Sequence, residues 1–345
     1  MRNNGKKLLC ACLFLIMVFC FAAAGYAAEK STPAIKLTMS TEYNKKDMRG
    51  EVAAYWADLV EKKTNGRVKV ELHYSGEIIS GKDAFKGTSS GAIDVSLLST
   101  SYFTGDVPSV ELFILPLPPP SISLIDFWDA WRDNRDFFTA KIEKKGCKPL
   151  LAFPMGTFNV VVSRTPIRAA EDFKGKKIRV SGGKVLPASV RAFGAGTASI
   201  AAAEIYPALQ NGTVDAAITI DETYIANSFY EVAPYVTGSK WYTGNYFILM
   251  NPAVFAKLAP DLQKIVLECS RETETWGGKH AYAEADVARN NAKAKAKEYY
   301  PLPDKEAQRW SDMVRPVWDK WAKDQGADGQ ALLEMLLKKQ KKPKS

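Results

Sequence analysis

In the stretch "KGKKIRVSGG" (174–183), Arg179 stands between Ile178 and Val180, inside a short run of strand formers that ends on paired glycines. A guanidinium stays charged at all ordinary pH values, and its planar fork matches a carboxylate through two parallel hydrogen bonds. Burying such a charge alone is costly, so an arginine at the end of an apolar strand is paired, exposed or kept free for an anion. The residue by itself leaves a structural salt bridge and a ligand contact equally open.

Other chemistry is sparse. The two histidines, His73 and His280, lie far apart, and neither has a cysteine or carboxylate at metal-ligand spacing, so no metal or cofactor is expected. No nucleophile-elbow pattern occurs. "SGEIISGK" and "SGGK" lack the spacing of nucleotide-binding loops and read as turns. An enzyme using Glu42, Glu77 or Asp221 would need a base and a positioned water, and the scarcity of histidine argues against it. Recognition rather than turnover is the expectation, with an exported cleft enzyme as the alternative.

The elements that would position Arg179 follow from periodicity. "AIKLTMSTEY" starts as a strand, and Val52, Tyr55, Trp56, Leu59 and Val60 recur at helical spacing up to Asn65-Gly66. "RVKVELHY" alternates as a strand, "GKDAFKGTSSG" is a short helix ending at Gly91, and "AIDVSLLST" is a third strand. This β-α-β-α-β order predicts a largely parallel sheet covered by helices. Prolines 118–120 then impose a loop, "SLIDFWDAWRDNRDFFTAKIEKKG" reads as one long helix, and "CKPLLAF" and "FNVVVSRTPI" as strands. A second, smaller β-α-β lobe runs from Lys177 through "VDAAITID". About forty residues from Pro260 predict a helix long enough to brace both lobes, kinked or split at Gly277-Gly278. The ends of such strands commonly face a cleft, which nominates Glu42, Tyr43, Glu77, Ser99 and Thr219, with Trp241 and Tyr242 in a crossing segment.

Residues 1–27 read as a signal peptide, with Arg2, Lys6 and Lys7 ahead of an apolar run from Leu8 to Ala24 and cleavage expected near Ala27. Cys147 and Cys269 then remain, enough for one bridge at most. The chain carries 47 Lys and Arg against 38 Asp and Glu; three of the cations lie in the leader and five in the last eight residues, leaving 39. So balanced a body argues against a nucleic-acid partner. The basic tail reads as a solvated terminus, with envelope binding as its alternative role.

Three runs, "EDFKGKKIRVSGGKVLPASVRAFGAG", "AAAEIYPALQNGTVDAA" and "FYEVAPYVTGSKWYTGNYFILMN", resemble the substrate-binding proteins of TRAP (tripartite ATP-independent periplasmic) transporters of the DctP-like class. "EVAAYWADLVEKKTNGRVKVELHYSGEI", "SSGAIDVSLLS", "NPAVFAKLAPDLQKIV" and "VRPVWDKWAKD" extend the likeness over almost the whole chain after the leader. The resemblance implies an α/β, two-lobed periplasmic binding protein fold with crossover strands and a long bracing C-terminal helix. The lobes are expected at 33–157, 158–244 and, returning to the first, 245–345. It implies a periplasmic receptor that passes a small organic acid to membrane subunits of a secondary transporter, as a monomer or homodimer. A receptor feeding a membrane sensor is the alternative partner. It also implies that Arg179 clamps the ligand's carboxylate.

Departures from the family pattern bear on the ligand. Members that bind dicarboxylates or sugar acids often carry a second arginine after "M-G-T", where this chain has Phe158. Thr219 stands where an asparagine is usual, Ile218 where a glutamate is, and Ala201 and Ala202 where a bulkier aromatic is frequent. One charge clamp in a more apolar pocket predicts a monocarboxylate with an apolar or aromatic body.

Overall fold

The computed structural model describes residues 34–118, 122–155 and 159–339. The expected leader, Phe158 and the last six residues of the tail lie outside them.

Two sheets form the two lobes. The first contains β1 (Ile35–Thr41), β2 (Val68–His73), β3 (Val95–Ser99), β4 (Lys148–Pro154) and β10 (Asn245–Met250), in the order β2-β1-β3-β10-β4. The second contains β5 (Val160–Ser163), β6 (Lys177–Val180), β7 (Gly196–Ser199), β8 (Ala216–Thr219), β9 (Tyr235–Gly238) and β11 (Glu298–Pro301), in the order β11-β9-β5-β8-β6-β7. β1 runs parallel to β2 and β3, and β6 to β7 and β8, whereas β10 and β5 run against their neighbours. β5 enters the second lobe directly after β4, and β10 returns to the first after β9. The crossover strands are therefore these two. The last hundred residues do not belong to the first lobe alone, because β11 pairs with β9 at the edge of the second sheet.

The helices follow the apolar spacing. α1 (Met48–Lys63) is capped by Asp47 and buries Val52, Trp56 and Val60, while α2 (Ala84–Ser90) ends on Gly91 in the left-handed region. The expected long helix after the prolines is two, α3 (Leu124–Asp133) and α4 (Arg135–Glu143). Asn134 breaks it by turning its amide back onto the Ala130 carbonyl, the local competition that makes asparagine a poor interior helix residue. Phe127, Trp131, Phe138 and Ile142 still share one core. The second lobe carries α5 (Val185–Ala192), α6 (Ile205–Gln210) and α7 (Asp221–Ala226). α8 (Pro252–Lys257) leads into α9 (Pro260–Lys295), and α10 (Asp304–Asp324) and α11 (Gly326–Lys339) finish the chain. Among the described residues no helix is long and apolar enough to cross a membrane. Cys147 and Cys269 are buried and free, and burial pushes their thiols up to about 12 and about 11.

α9 is the brace. Its 36 residues span about 54 Å at the usual rise, packing on α1 and β4 in one lobe and α7 in the other. The helix runs unbroken through Gly277-Gly278, which permit close approach rather than a break. A Cβ on Gly277 would sit 3.2 Å from Val52, and one on Gly278 2.7 Å from the Trp128 ring. Towards its second-lobe end, Ala281, Ala285, Ala288 and Ala292 make a buried stripe of small side chains.

At the junction of α7 with this brace, Asp221 is 1% exposed and accepts from Tyr299 at 3.3 Å. Burial pushes its carboxyl up to about 6, against the pull of Arg289 and Lys293, and pushes neighbouring Glu222 up to about 7. The folded state therefore holds protons that the unfolded chain has released, so these groups cost stability as pH rises from their ordinary values towards neutrality. Asp221→Asn should raise the melting temperature near neutral pH, recovering on the order of 3 kcal/mol, with the gain vanishing at about pH 4. A gain independent of pH in a melting series would refute this assignment. Gly278→Val should instead lower it by several degrees, since forcing a side chain against Trp128 costs about 1–3 kcal/mol. An unchanged melt would show that Trp128 has room to move.

Candidate functional site

Arg179 lies on β6, the strand next to the β7 edge of the second sheet, opposite Ala198 of β7 and Ala217 of β8. These two small neighbours leave room for a long side chain to lie over the sheet. Its Nε donates to the Ile200 carbonyl at 2.8 Å and Nη1 to the Ile218 carbonyl at 3.1 Å. The side chain is 3% exposed, yet among the described residues no carboxylate forms an ion pair with it. Both anchors are neutral carbonyls, so among the described residues the other three N–H bonds of the fork have no partner and keep their capacity for an anion.

Around it the two lobes meet. Glu42, Tyr43, Ser99 and Tyr102 come from the first lobe, Asn159, Ser181, Ala202, Thr219, Ile220 and Thr223 from the second, and Tyr242 and Tyr246 from the segment that crosses back. Arg49 completes the wall. The lobes are closed. Ala202 N–H donates to Glu42 Oε2 at 3.0 Å and to the Tyr102 hydroxyl at 3.2 Å, and Asn44 reaches Asn227 at 3.1 Å. At the rim Lys82 Nζ donates to the Ser199 carbonyl at 2.5 Å. The space enclosed is about 20 Å³, room for little more than one water. A solute therefore enters only when the lobes part.

The wall is polar and aromatic rather than aliphatic. Burial raises the phenol pKa of Tyr43, Tyr102, Tyr242 and Tyr246 above the ordinary value, reinforced at Tyr43 and Tyr102 by Glu42. All four stay protonated and can donate. Tyr102 does so to Glu42 Oε2 at 2.9 Å, while Glu42 Oε1 is buried without a hydrogen-bond partner among the described residues.

Of the residues nominated from sequence, Arg179, Glu42, Tyr43, Ser99, Thr219 and Tyr242 share this pocket. Glu77 does not join them. β2 is an edge strand, so the turn after it lies to one side of the cleft, and Glu77 points to solvent beside His73 at 3.4 Å. Trp241 is fully buried away from the pocket, among Phe173, Phe193 and Trp310, with its indole N–H on Ser189.

Sequence reasoning passed over Tyr102, Asn159, Ser181, Thr223 and Tyr246 and, most consequentially, Arg49. It is 4% exposed, lies 3.7 Å over the Tyr43 ring, and donates from Nη1 to the Tyr246 hydroxyl at 2.9 Å. Unlike Arg179 it is ion-paired: Nε meets Asp47 Oδ1 at 2.7 Å and Nη2 meets Oδ2 at 2.5 Å. Nη2 also donates to Thr223 across the cleft. The available signal was an N-cap aspartate two residues before an arginine, directly after a strand whose end faces the cleft.

A family model, DctP, bacterial extracellular solute-binding protein family 7, matches residues 39–324. The C4-dicarboxylate-binding periplasmic protein DctP of Rhodobacter capsulatus is 27% identical over 282 residues, 81% of this chain and 84% of that one. Among solved structures, DctP7 of Bordetella pertussis, an extracytoplasmic solute receptor binding pyroglutamic acid, superposes with a TM-score of 0.83 at 20% identity. It covers 88% of this chain and 100% of its own. A TRAP periplasmic solute-binding protein from Desulfovibrio salexigens with bound orotic acid gives 0.81 at 22% identity, covering 88% and 98%. The family and these neighbours are binding proteins rather than enzymes. The chain belongs to the DctP family, the solute-binding proteins of TRAP transporters.

Proposed function

We propose that this TRAP receptor takes a monocarboxylate whose body is a planar or aromatic ring, and delivers it to its membrane subunits. The observation that carries the reading is Arg179, a buried guanidinium with three unclaimed N–H bonds and no acid partner among the described residues. A carboxylate docked there would satisfy the charge and the open donors together. The expectation of an apolar body narrows, because among the described residues the aliphatic side chains in the wall are Ala202 and Ile220. Four tyrosines favour a flat ring, and the unpartnered Glu42 Oε1 favours one with an N–H or O–H on its edge. Pyroglutamate and orotate, held by the two structural neighbours, have this chemistry and are the first probes.

A thermal-shift screen of acids and their neutral amides tests the clamp. Saturation at a hundredfold over Kd should stabilise the wild type by about 2.7 kcal/mol. Arg179→Met should abolish the shift, weakening binding by about 2–5 kcal/mol, without lowering the ligand-free melting temperature, because it removes an unpaired buried charge. A lower ligand-free melt with the acid response intact would make Arg179 structural. Closure can be tested separately at Gly182, where a Cβ would lie 2.8 Å from the Ser101 carbonyl oxygen of the other lobe. Gly182→Ala should leave the ligand-free melt near that of the wild type and weaken binding about tenfold or more by opposing closure. Equal affinity would mean that the bound state is more open at this point.

A further inference from the structure

The pocket contains two arginines, and only one is available. Arg179 donates to neutral carbonyls and, among the described residues, retains three N–H bonds. Arg49 spends its donors otherwise: Nε and Nη2 on Asp47, Nη2 again on Thr223, and one bond of Nη1 on Tyr246. Its charge is matched at contact distance by a carboxylate that is itself 1% exposed. Yet Arg49 lines the same cavity as Arg179, and the Tyr242 phenol lies within electrostatic reach of both. The second guanidinium that a dicarboxylate needs is thus already in place but neutralised from behind.

We propose that Asp47 restricts this pocket to a single carboxylate by holding Arg49 in an internal ion pair, so that removing its charge turns Arg49 into a second carboxylate subsite. Asp47 is a positioning residue; it acts on the solute only through Arg49. The inference rests on the monocarboxylate reading for its biological meaning, but its physical content is independent of it.

Asp47→Asn is the chosen change. Asparagine caps a helix as well as aspartate does, and its Oδ1 can still accept from the Arg49 backbone N–H and Nε, as Asp47 Oδ1 does at 3.0 and 2.7 Å. Its amide NH₂ would face Nη2 donor to donor and so release that edge of the fork. Asp47→Ser, which keeps a cap and removes the charge differently, is the second variant. Calorimetric titration of wild type, both variants and Asp47→Asn/Arg49→Gln uses succinate and phthalate as diacid probes, with pyroglutamate, orotate and benzoate as monoacids.

The expected result is succinate or phthalate binding at least about tenfold tighter in a single variant than in the wild type, with the gain lost in the double variant. A ratio of diacid to monoacid affinity is a readout that mere loosening of the fold does not improve. Diacid affinity within about twofold of wild type, or a gain that survives removal of Arg49, overturns the proposal. So does unfolding of both variants unrelieved by saturating succinate, which would make Asp47 a structural counter-ion. If no monoacid binds the wild type while the variants gain diacid affinity, the role of Asp47 stands and the monocarboxylate reading falls. Monoacid binding without that gain has the opposite meaning.

Discussion

An unpaired guanidinium inside a folded protein is an unfinished interaction, and the architecture of this receptor is arranged around one. Removing a cation from water costs several kcal/mol even after relaxation, and neutral carbonyls return only part of it. Arg179 has two such carbonyls, from Ile200 and Ile218, and no acid partner among the described residues. The cost is bearable because β6 lies between β7 and β8, whose backbones are fixed by the sheet and whose facing residues are alanines. With the lobes apart, water can solvate the fork. With them closed, about 20 Å³ remains, and the charge is left facing tyrosines. An anion that filled that deficit would be stabilised most in the closed state, so on the proposed reading charge recognition and lobe closure are one process.

Arg49 shows the opposite solution to the same problem. Its charge is balanced within the first lobe by Asp47, stacked on Tyr43, and linked to the second lobe through Thr223. That arrangement is self-sufficient and needs no solute. Two identical side chains in one pocket therefore play different parts because of one carboxylate. The four phenols, held protonated by burial, supply donors and ring faces without adding charge.

How far this was legible in the sequence depended on whether local pattern or remote packing decides each residue. The strand around Arg179 was readable because Ile178 and Val180 flank it at the spacing of a buried strand. Glu42, Tyr43, Ser99 and Thr219 were readable as strand ends, but Glu77 was not, since the sequence does not say that β2 lies at the sheet edge. Trp241 and Tyr242 are adjacent in an extended segment, so only one can face the cleft, and no local signal chooses between them. Tyr242 lines the pocket while Trp241 joins Phe173, Phe193 and Trp310. Arg49 was hidden for a related reason. Asp-Met-Arg at a helix start reads as a solvated turn, and only remote packing, on Tyr43 and Tyr246 and against Thr223 of the other lobe, makes it interior.

The brace has a consequence for how closure is transmitted. α9 packs against both lobes, so they cannot part without bending it or sliding along it. Its two lobe contacts are unlike. On the first lobe, Leu262, Val266 and Cys269 interlock with Trp56 and Val60, and Gly277 presses on Val52 with no side chain between. On the second, α9 packs against α7, and the buried residues of this half of the helix, Ala285, Ala288 and Ala292, are small side chains that offer shallow ridges and little resistance to sliding. Motion should therefore concentrate at α7, the helix that carries Thr223 to Arg49 and follows Thr219 and Ile220 at the pocket wall. The same helix begins with Asp221 and Glu222, whose protons burial retains towards neutral pH. Pocket wall, packing surface and titratable pair thus share six residues, Asp221–Ala226, which would make this short helix the mechanical link between the pocket and the brace.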